Sequence, residues 1–386
     1  MSNPTTNFLV GGIDLSSIFQ PYSSGAFATA TGYKILGGQD LNQIFSPLST
    51  WTPRATDAIR NWFSITSDSS GTNLAAVVYD GYIYTSTNSG LNWTQQTNSG
   101  PRGWTSITSS SDGQHLAAAV NGGIDGGYIY TSTNSGLNWT QQTNAGLKVW
   151  QSITSSSDGQ HLAAADYFSY IYTSTSPFTI WIQQTNAGFG GWTSITSSSD
   201  GTKLAAVSVG GYIHTSTNSG LNWTQQTGAG PRAWLSITSS SDGQHLAAVV
   251  QGGYIYTSTS PFTSWTQQTG AGSRVWVSIT SSSDGQHLAA VVYDDYIYTS
   301  TSPFTSWTQQ TGAGSRVWTS ITSSSDGTKL AAVVNGGYIY TYTYNNPTKA
   351  IVTGYNVNGL DLNEIFAPIW IQTWTQQTNS DSRDTQ

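Results

Sequence analysis

The 386-residue chain contains no cysteine and a single glutamate, Glu364. Without thiols there is neither a disulfide framework nor a thiolate metal site. With one glutamate, acid–base chemistry on paired carboxylates would have to come from aspartates alone. Charge of either sign is scarce: charged residues make up 8% of the chain, and 19 acidic against 12 basic residues give a formal net charge of -7. No basic run is present that could follow a phosphate backbone, so nucleic acid is not expected as a partner. Long hydrophobic runs are also missing. No stretch approaches the ~18 apolar residues of a membrane span, and the opening MSNPTTNFLVGG has neither the basic nor the apolar segment of an export signal. The expectation is a soluble chain with no membrane insertion.

What fills the sequence is repetition. A tryptophan before S-I-T recurs at Trp62, Trp104, Trp150, Trp192, Trp234, Trp276 and Trp318, every 42 residues except for one interval of 46. The longer interval carries extra residues in NGGIDGGY, from Asn121 to Tyr128. Each unit reads W-x-S-I-T, SSSDG, LAAVV, a Gly- or Asp-containing turn, YIYTST, NSGLN or SPFTS, and WTQQT. The runs are short, β-branched or aromatic, and separated by turn residues, so each unit predicts four strands. No window has the 3.6-residue apolar spacing of a helix.

Four-stranded units of this length, repeated seven times, predict an all-β, seven-bladed β-propeller. SPLSTW at Ser46–Trp51 matches SPFTSW at Ser260–Trp265, and Trp51 precedes Trp62 by the 11 residues that separate Trp265 from Trp276. The ring is therefore expected to close with an N-terminal outer strand, although WTQQT at Trp374–Thr378 competes for the same slot. The predicted domains are a flanking module at 1–45, the propeller at 46–344, and a second module with a tail at 345–386.

The turn S-T-N-S-G-L-N-W at Ser86–Trp93, Ser132–Trp139 and Ser216–Trp223 resembles the Asp-box, the S-x-D-x-G-x-x-W hairpin of sialidases and sortilin-type receptors. Asn stands in the Asp position, where it can also close an Asx-turn. The copies with S-P-F, such as Ser258–Trp265, match only in part. The resemblance implies architecture and is nearly silent about activity. The aspartates of SSSDG (Asp112, Asp158, Asp200, Asp242, Asp284 and Asp326) read as turn formers. His115, His161, His245 and His287 occupy a slot that other units fill with Lys or Asn. No metal site or cofactor is expected from it.

Strand alternation puts the SSSDG and Asn-containing turns on one face and the second-to-third-strand turns and inter-blade links on the other. The first face is uniform, whereas the second varies and is the expected recognition face. It carries a cation two residues before each inner Trp: Arg60, Arg102, Lys148, Arg232, Arg274 and Arg316, with Gly190 as the exception. Two readings stand. Either each cation stacks on its own Trp or satisfies a neighbouring blade's carbonyl, or the pairs Arg60/Trp62, Arg102/Trp104, Lys148/Trp150, Arg232/Trp234, Arg274/Trp276 and Arg316/Trp318, with Trp192, bind glycans. The second arrangement resembles propeller lectins, which often add a Glu that this chain lacks there. The Asp residues of this face, Asp80, Asp125, Asp166, Asp294 and Asp295, form no catalytic motif. An enzyme is not expected.

Outside the repeats, VGGIDLSSIF at Val10, LGGQDLNQIF at Leu36 and VNGLDLNEIF at Val357 share D-L-x-x-I-F. Asp14, Asp40 or Asp361 would cap a short helical turn whose Leu and Phe dock inward. The phrase resembles segments of structural proteins of large DNA viruses. The expected function is thus non-enzymatic recognition of glycans, or alternatively of a protein surface as a docking component of a virion or other assembly. A virion or an extracellular surface would be the corresponding location.

Overall fold

The computed structural model describes residues 51–343 and the short strands Leu9–Val10, Ile13–Asp14, Asn356–Val357 and Leu360–Asp361. The chain divides into two compact units, Ser49–Tyr344 and the flanks Met1–Leu48 with Asn345–Gln386. In the flanks, Leu9 pairs with Asp14 and Asn356 with Asp361, so two of the three D-L-x-x-I-F phrases enter from a two-residue hairpin. The helical turns expected after these aspartates, the Asp40 copy and Trp374–Thr378 lie outside the described residues.

In the large unit each repeat folds into a four-stranded antiparallel meander. The first sheet is Arg60–Ser67, Leu74–Gly81, Ile83–Ser86 and Thr94–Gln96. The same order begins again at Arg102, Trp150, Trp192, Arg232 and Arg274. The last sheet has Arg316–Ser323, Lys329–Gly337 and Ile339–Thr343 from its own repeat, and takes Thr52–Arg54 as its fourth strand. Trp51 anchors that strand, stacked on Tyr342 at 5.3 Å and 6.4 Å from Trp318.

The second strand of each sheet is buried along its core, as in Leu74–Val78, because both of its faces are covered by neighbouring sheets. The alanines of L-A-A keep that approach close. The apolar clusters consequently straddle sheet boundaries: Ala205, Val207 and Ile213 of one sheet pack with Trp234, Ile237 and Val250 of the next. Likewise, Ala331, Val333 and Ile339 of the last sheet pack with Trp62 and Ile65 of the first. No repeat could bury its apolar surface alone.

Two sets of hydrogen bonds run through the first strands and return to their start. The Ile65 amide donates to Ser320 Oγ, Ile107 to Ser64, Ile153 to Ser106, Ile195 to Ser152, Ile237 to Ser194, Ile279 to Ser236 and Ile321 to Ser278, at 3.1–3.3 Å. In the turns, the Ser69 amide donates to the Ser111 carbonyl, and so on through Ser157, Ser199, Ser241, Ser283 and Ser325 back to Ser69, at 2.7–3.0 Å. The serines of S-I-T and SSSDG thereby link neighbouring sheets as well as closing turns.

The SSSDG aspartate works locally. Ser198 Oγ donates to Asp200 Oδ1 at 2.6 Å, and the Thr202 amide donates to the same oxygen at 3.0 Å. These bonds favour the carboxylate, and Ser198 first among them holds the Asp200 pKa down at about 2. The carboxyls of Asp112, Asp158, Asp242 and Asp284 are likewise lowered, chiefly by their serine partners. A carboxyl lowered in the folded state stabilises above its unfolded pKa, near 3.8, and that contribution is lost as pH falls through the folded value. The expected result is a melting temperature that declines between about pH 4 and pH 2. Asp200→Ala should cost about 1 kcal/mol at neutral pH and part of that acid slope, as followed by thermal unfolding. A melting temperature flat across that window would refute the assignment.

Candidate recognition face

The first and third turns of each meander lie together: the Ser89 amide donates to the Thr72 carbonyl and Ser135 to Gln114. In the third turn, Ser86 Oγ donates to Asn88 Oδ1, the Gly90 amide donates to Ser86 Oγ, and the Asn92 amide donates to Asn88 Oδ1. Ser89 and Gly90 take positive φ of 54° and 82°, which Gly adopts without cost. Asn therefore makes the Asx-type closure expected of it. His115, His161, His245 and His287 lie against Gly159, Gly201, Gly285 and Gly327 in the SSSDG turn of the next sheet. Among the described residues, no group of three or more His, Cys, Asp or Glu is placed to hold a metal ion.

The opposite face is formed by the second-to-third-strand turns and the links between sheets. Asp80 and Asp294 sit at turn tips with φ near 55°, where three other sheets use Gly210, Gly252 and Gly336. Their position is a backbone requirement. Asp295 pairs with Arg274 at 3.1 Å. Asp166 is buried, its carboxyl pushed up mainly by desolvation, with Oδ1 accepting from the Phe168 amide.

Each first strand carries a bulge just after its tryptophan: Trp62 pairs with Val78 while Ser64 pairs with Val77. The extra residue turns the indole into the boundary between sheets. Trp62, Trp104, Trp150, Trp192, Trp234, Trp276 and Trp318 are only 0–1% exposed. None offers an open ring face, so the apolar sugar platform expected at these positions is not present on the indoles.

The aromatic group beneath each cation is a tyrosine of the third strand. Arg60, Arg102, Lys148, Arg232, Arg274 and Arg316 lie 4.3–4.7 Å over Tyr84, Tyr130, Tyr172, Tyr256, Tyr298 and Tyr340. Each tyrosine in turn meets its Trp edge-on at 5.1–5.4 Å. The result is a three-layer stack of buried indole, buried tyrosine and cation. Hydrogen bonds fix it. Arg102 Nε donates to the Ser99 carbonyl, and Arg232, Arg274 and Arg316 donate to the carbonyls of Ala229, Ala271 and Ala313, at 2.8–3.1 Å. The phenols of Tyr84, Tyr130, Tyr172, Tyr256 and Tyr298 donate to Gln95, Gln141, Gln183, Gln267 and Gln309. Burial pushes the phenols of Tyr130, Tyr298 and Tyr340 up, so they remain neutral donors at neutral pH.

The fourth sheet breaks the pattern twice. Gly190 stands at the cation position and His214 at the tyrosine position, 5.1 Å edge-on to Trp192. The sequence reading noted the glycine and missed the histidine. The available signal was that both exceptions fall in one repeat. Beside them, Phe168 and Phe189 are 61% and 73% exposed, with Phe189 5.8 Å from Tyr170 and Phe168 4.9 Å from Tyr167.

No protein-family model matches the chain, and no curated protein matches it. Solved structures of similar fold include the following three. YCF48 bound to D1 peptide aligns over 77% of this chain and 97% of its own, at 13% identity and a TM-score of 0.61. YCF48 from Cyanidioschyzon merolae aligns over 78% and 100%, at 13% identity and a TM-score of 0.59. The GH74 xyloglucanase from Xanthomonas campestris aligns over 75% of this chain and 53% of its own, at 12% identity and a TM-score of 0.59. Among the described residues no helix is long and apolar enough to cross a membrane. At such identities the likeness speaks for architecture alone, and the chain has the fold of a β-propeller with repeated antiparallel sheets.

Proposed function

We propose that the chain is a non-enzymatic recognition propeller whose seven sheets form one closed ring, and that its variable face binds a protein surface. The observation that carries this reading is the exposed apolar cluster of Phe168, Phe189 and Val209 at the third and fourth sheets. Phe189 stands where four links have Pro or Ser; Ile59 and Leu147 fill the slot in two others and are also exposed, but only this repeat places an aromatic ring there. Clustered exposed aromatics on a rigid scaffold are typical anchors of protein interfaces. YCF48, of similar fold, has a structure bound to D1 peptide, which supports a peptide or protein as the partner class. Glycan binding through the Arg/Trp pairs is the lesser reading, because the indoles are enclosed and the cations are engaged within their own sheets. The third-strand turns read as Asn-bearing relatives of the Asp-box. The D-L-x-x-I-F segments are proposed to dock the chain to a larger assembly, such as a virion or an extracellular surface.

The test is photo-crosslinking in the producing cells with p-benzoylphenylalanine at position 189 and, separately, at Leu137 on the opposite face. The reading expects a discrete protein adduct from position 189 and none from 137. Selective glycan-array binding that Phe189→Ser abolishes, with no protein adduct, would replace it with the glycan reading.

A further inference from the structure

The fourth sheet contains an unfilled version of a site that the chain itself fills six times. A cavity of about 480 Å³ opens there, lined by Gly188, Gly190, Trp192, His214, Trp223 and Gln225 among others. In the neighbouring fifth sheet, the matching space holds the Arg232 side chain, over Tyr256 and bonded to the Ala229 carbonyl. In the fourth, the preceding turn is the same: Thr185–Ala187 forms the same short helical turn, and Gly188 takes φ of 83° where Gly230 takes 70°, although the first strand begins at Trp192 rather than at the cation position. The difference is that no cation is supplied.

The groups that elsewhere receive a donor are therefore left facing the cavity. The Ala187 carbonyl corresponds to the Ala229 carbonyl that accepts from Arg232 Nε, and Ala187 lines the cavity. Gln225 corresponds to Gln267, whose Oε1 accepts from a tyrosine hydroxyl. The imidazole that replaces the phenol cannot make that bond from the same position. His214 Nδ1 is itself buried without a hydrogen-bond partner among the described residues. Burial pushes the His214 pKa down from 6.5, against the opposing backbone contact at Tyr212. The ring is thus neutral at neutral pH, an aromatic surface without a repelling charge.

A cavity with acceptors at its wall, an aromatic ring at its base and no cation of its own calls for a planar, donor-rich cation. We propose that it receives the guanidinium of an arginine side chain presented by the protein partner, completing in trans the stack that six sheets complete with their own Arg or Lys. The exposed ring of Phe189 lines the cavity and would contact the residues around that arginine. The proposal rests on the reading of this face as a protein-recognition surface, and it specifies the anchor.

The test is a titration of the full chain with N-acetyl-L-arginine amide, followed by NMR of the histidine ring and tryptophan indole resonances. Saturable shifts of His214 and Trp192, with the Trp234 and Trp276 resonances unmoved, are expected. The isosteric neutral citrulline amide should bind at least tenfold more weakly. Gly190→Arg supplies the missing side chain from within. Gly190 lies outside the left-handed region, and a Cβ there would sit 3.3 Å from the Trp192 ring, so a small ring adjustment suffices. This variant should abolish the titration while keeping the fold. Should the crowding prevent folding, Gln225→Ala, on an exposed outer strand, should weaken the probe several-fold with the melting temperature retained.

Equal binding of the citrulline amide, or absence of any His214 shift at 50 mM probe, would overturn the proposal. An adduct from position 189 with no arginine binding sinks this inference and leaves the recognition reading intact. Arginine binding without an adduct overturns the protein-recognition reading and, with it, the assignment of the arginine to a protein partner, and leaves only a guanidinium-binding cavity.

Discussion

Trp234→Ala lowers the free energy of unfolding by about 3–5 kcal/mol, the usual cost of an emptied buried Trp site. The indole is 0% exposed and fills the boundary between the fourth and fifth sheets, touching the cluster of Ala205, Val207, Ile213, Ile237 and Val250. Those neighbours belong to two sheets held by backbone ladders, so they cannot collapse far into the space left behind. The loss also removes the edge-on support of Tyr256 at 5.3 Å. Arg232→Ala, by contrast, should cost no more than about 1 kcal/mol, since its guanidinium is largely exposed and gives up one hydrogen bond and one cation–π contact. Urea unfolding of the two variants separates a scaffold role from a ligand role for the pair. A Trp234→Ala loss below 1 kcal/mol with intact folding would mean that the indole is not structural.

The contrast explains what could be read from the chain without coordinates. The period of the tryptophans and the four runs per repeat are local signals, and each run corresponds to a strand or turn in the fold; the match of Ser46–Trp51 to an outer-strand segment pointed to the strand that follows it, Thr52–Arg54. The turn chemistry of Asn88 and Asp200 was legible for the same reason: an Asx-type turn is closed by residues within a few positions of it. The carbonyl partners of the cations were legible as one alternative, and Arg60 and Lys148 do lie 5.7 and 6.0 Å over their indoles, but the tyrosine beneath each cation was not legible. Arg232 and Trp234 lie on one strand two residues apart, and sequence proximity suggested that the cation sits on the indole. The bulge between Trp234 and Ser236 instead turns the indole into the sheet boundary, while Tyr256, 24 positions away, comes under the guanidinium through the strand register. A one-residue irregularity of that kind has no composition signature. The paired exceptions Gly190 and His214 were visible, but their relation depends on the same register.

The remaining large effect concerns ring closure. Repeats that share their interiors across boundaries are stable as a set only if the last sheet is finished and joined to the first. Here the finish comes from Thr52–Arg54, paired in register with Ile339–Thr341, and the join from pairing of Asn335 and Gly337 with Asn61 and Arg60. Thr52 lies opposite Thr341, and the absence of native cysteine makes a clean crosslink possible. A disulfide between these positions would close nearly the whole large unit into one loop. In the chain-entropy model, a loop that long restricts the unfolded state by about 6 kcal/mol, less any geometric strain in the bridge.

The double variant Thr52→Cys with Thr341→Cys, oxidised and compared with its reduced form, is the most direct measurement of whether the propeller is fastened by its N-terminal strand. The account predicts an intramolecular disulfide in nearly all molecules and a melting temperature well above that of the reduced protein. It would be contradicted if this pair stayed reduced in the folded protein while Thr375→Cys with Thr341→Cys crosslinked readily, because the C-terminal segment would then occupy the slot.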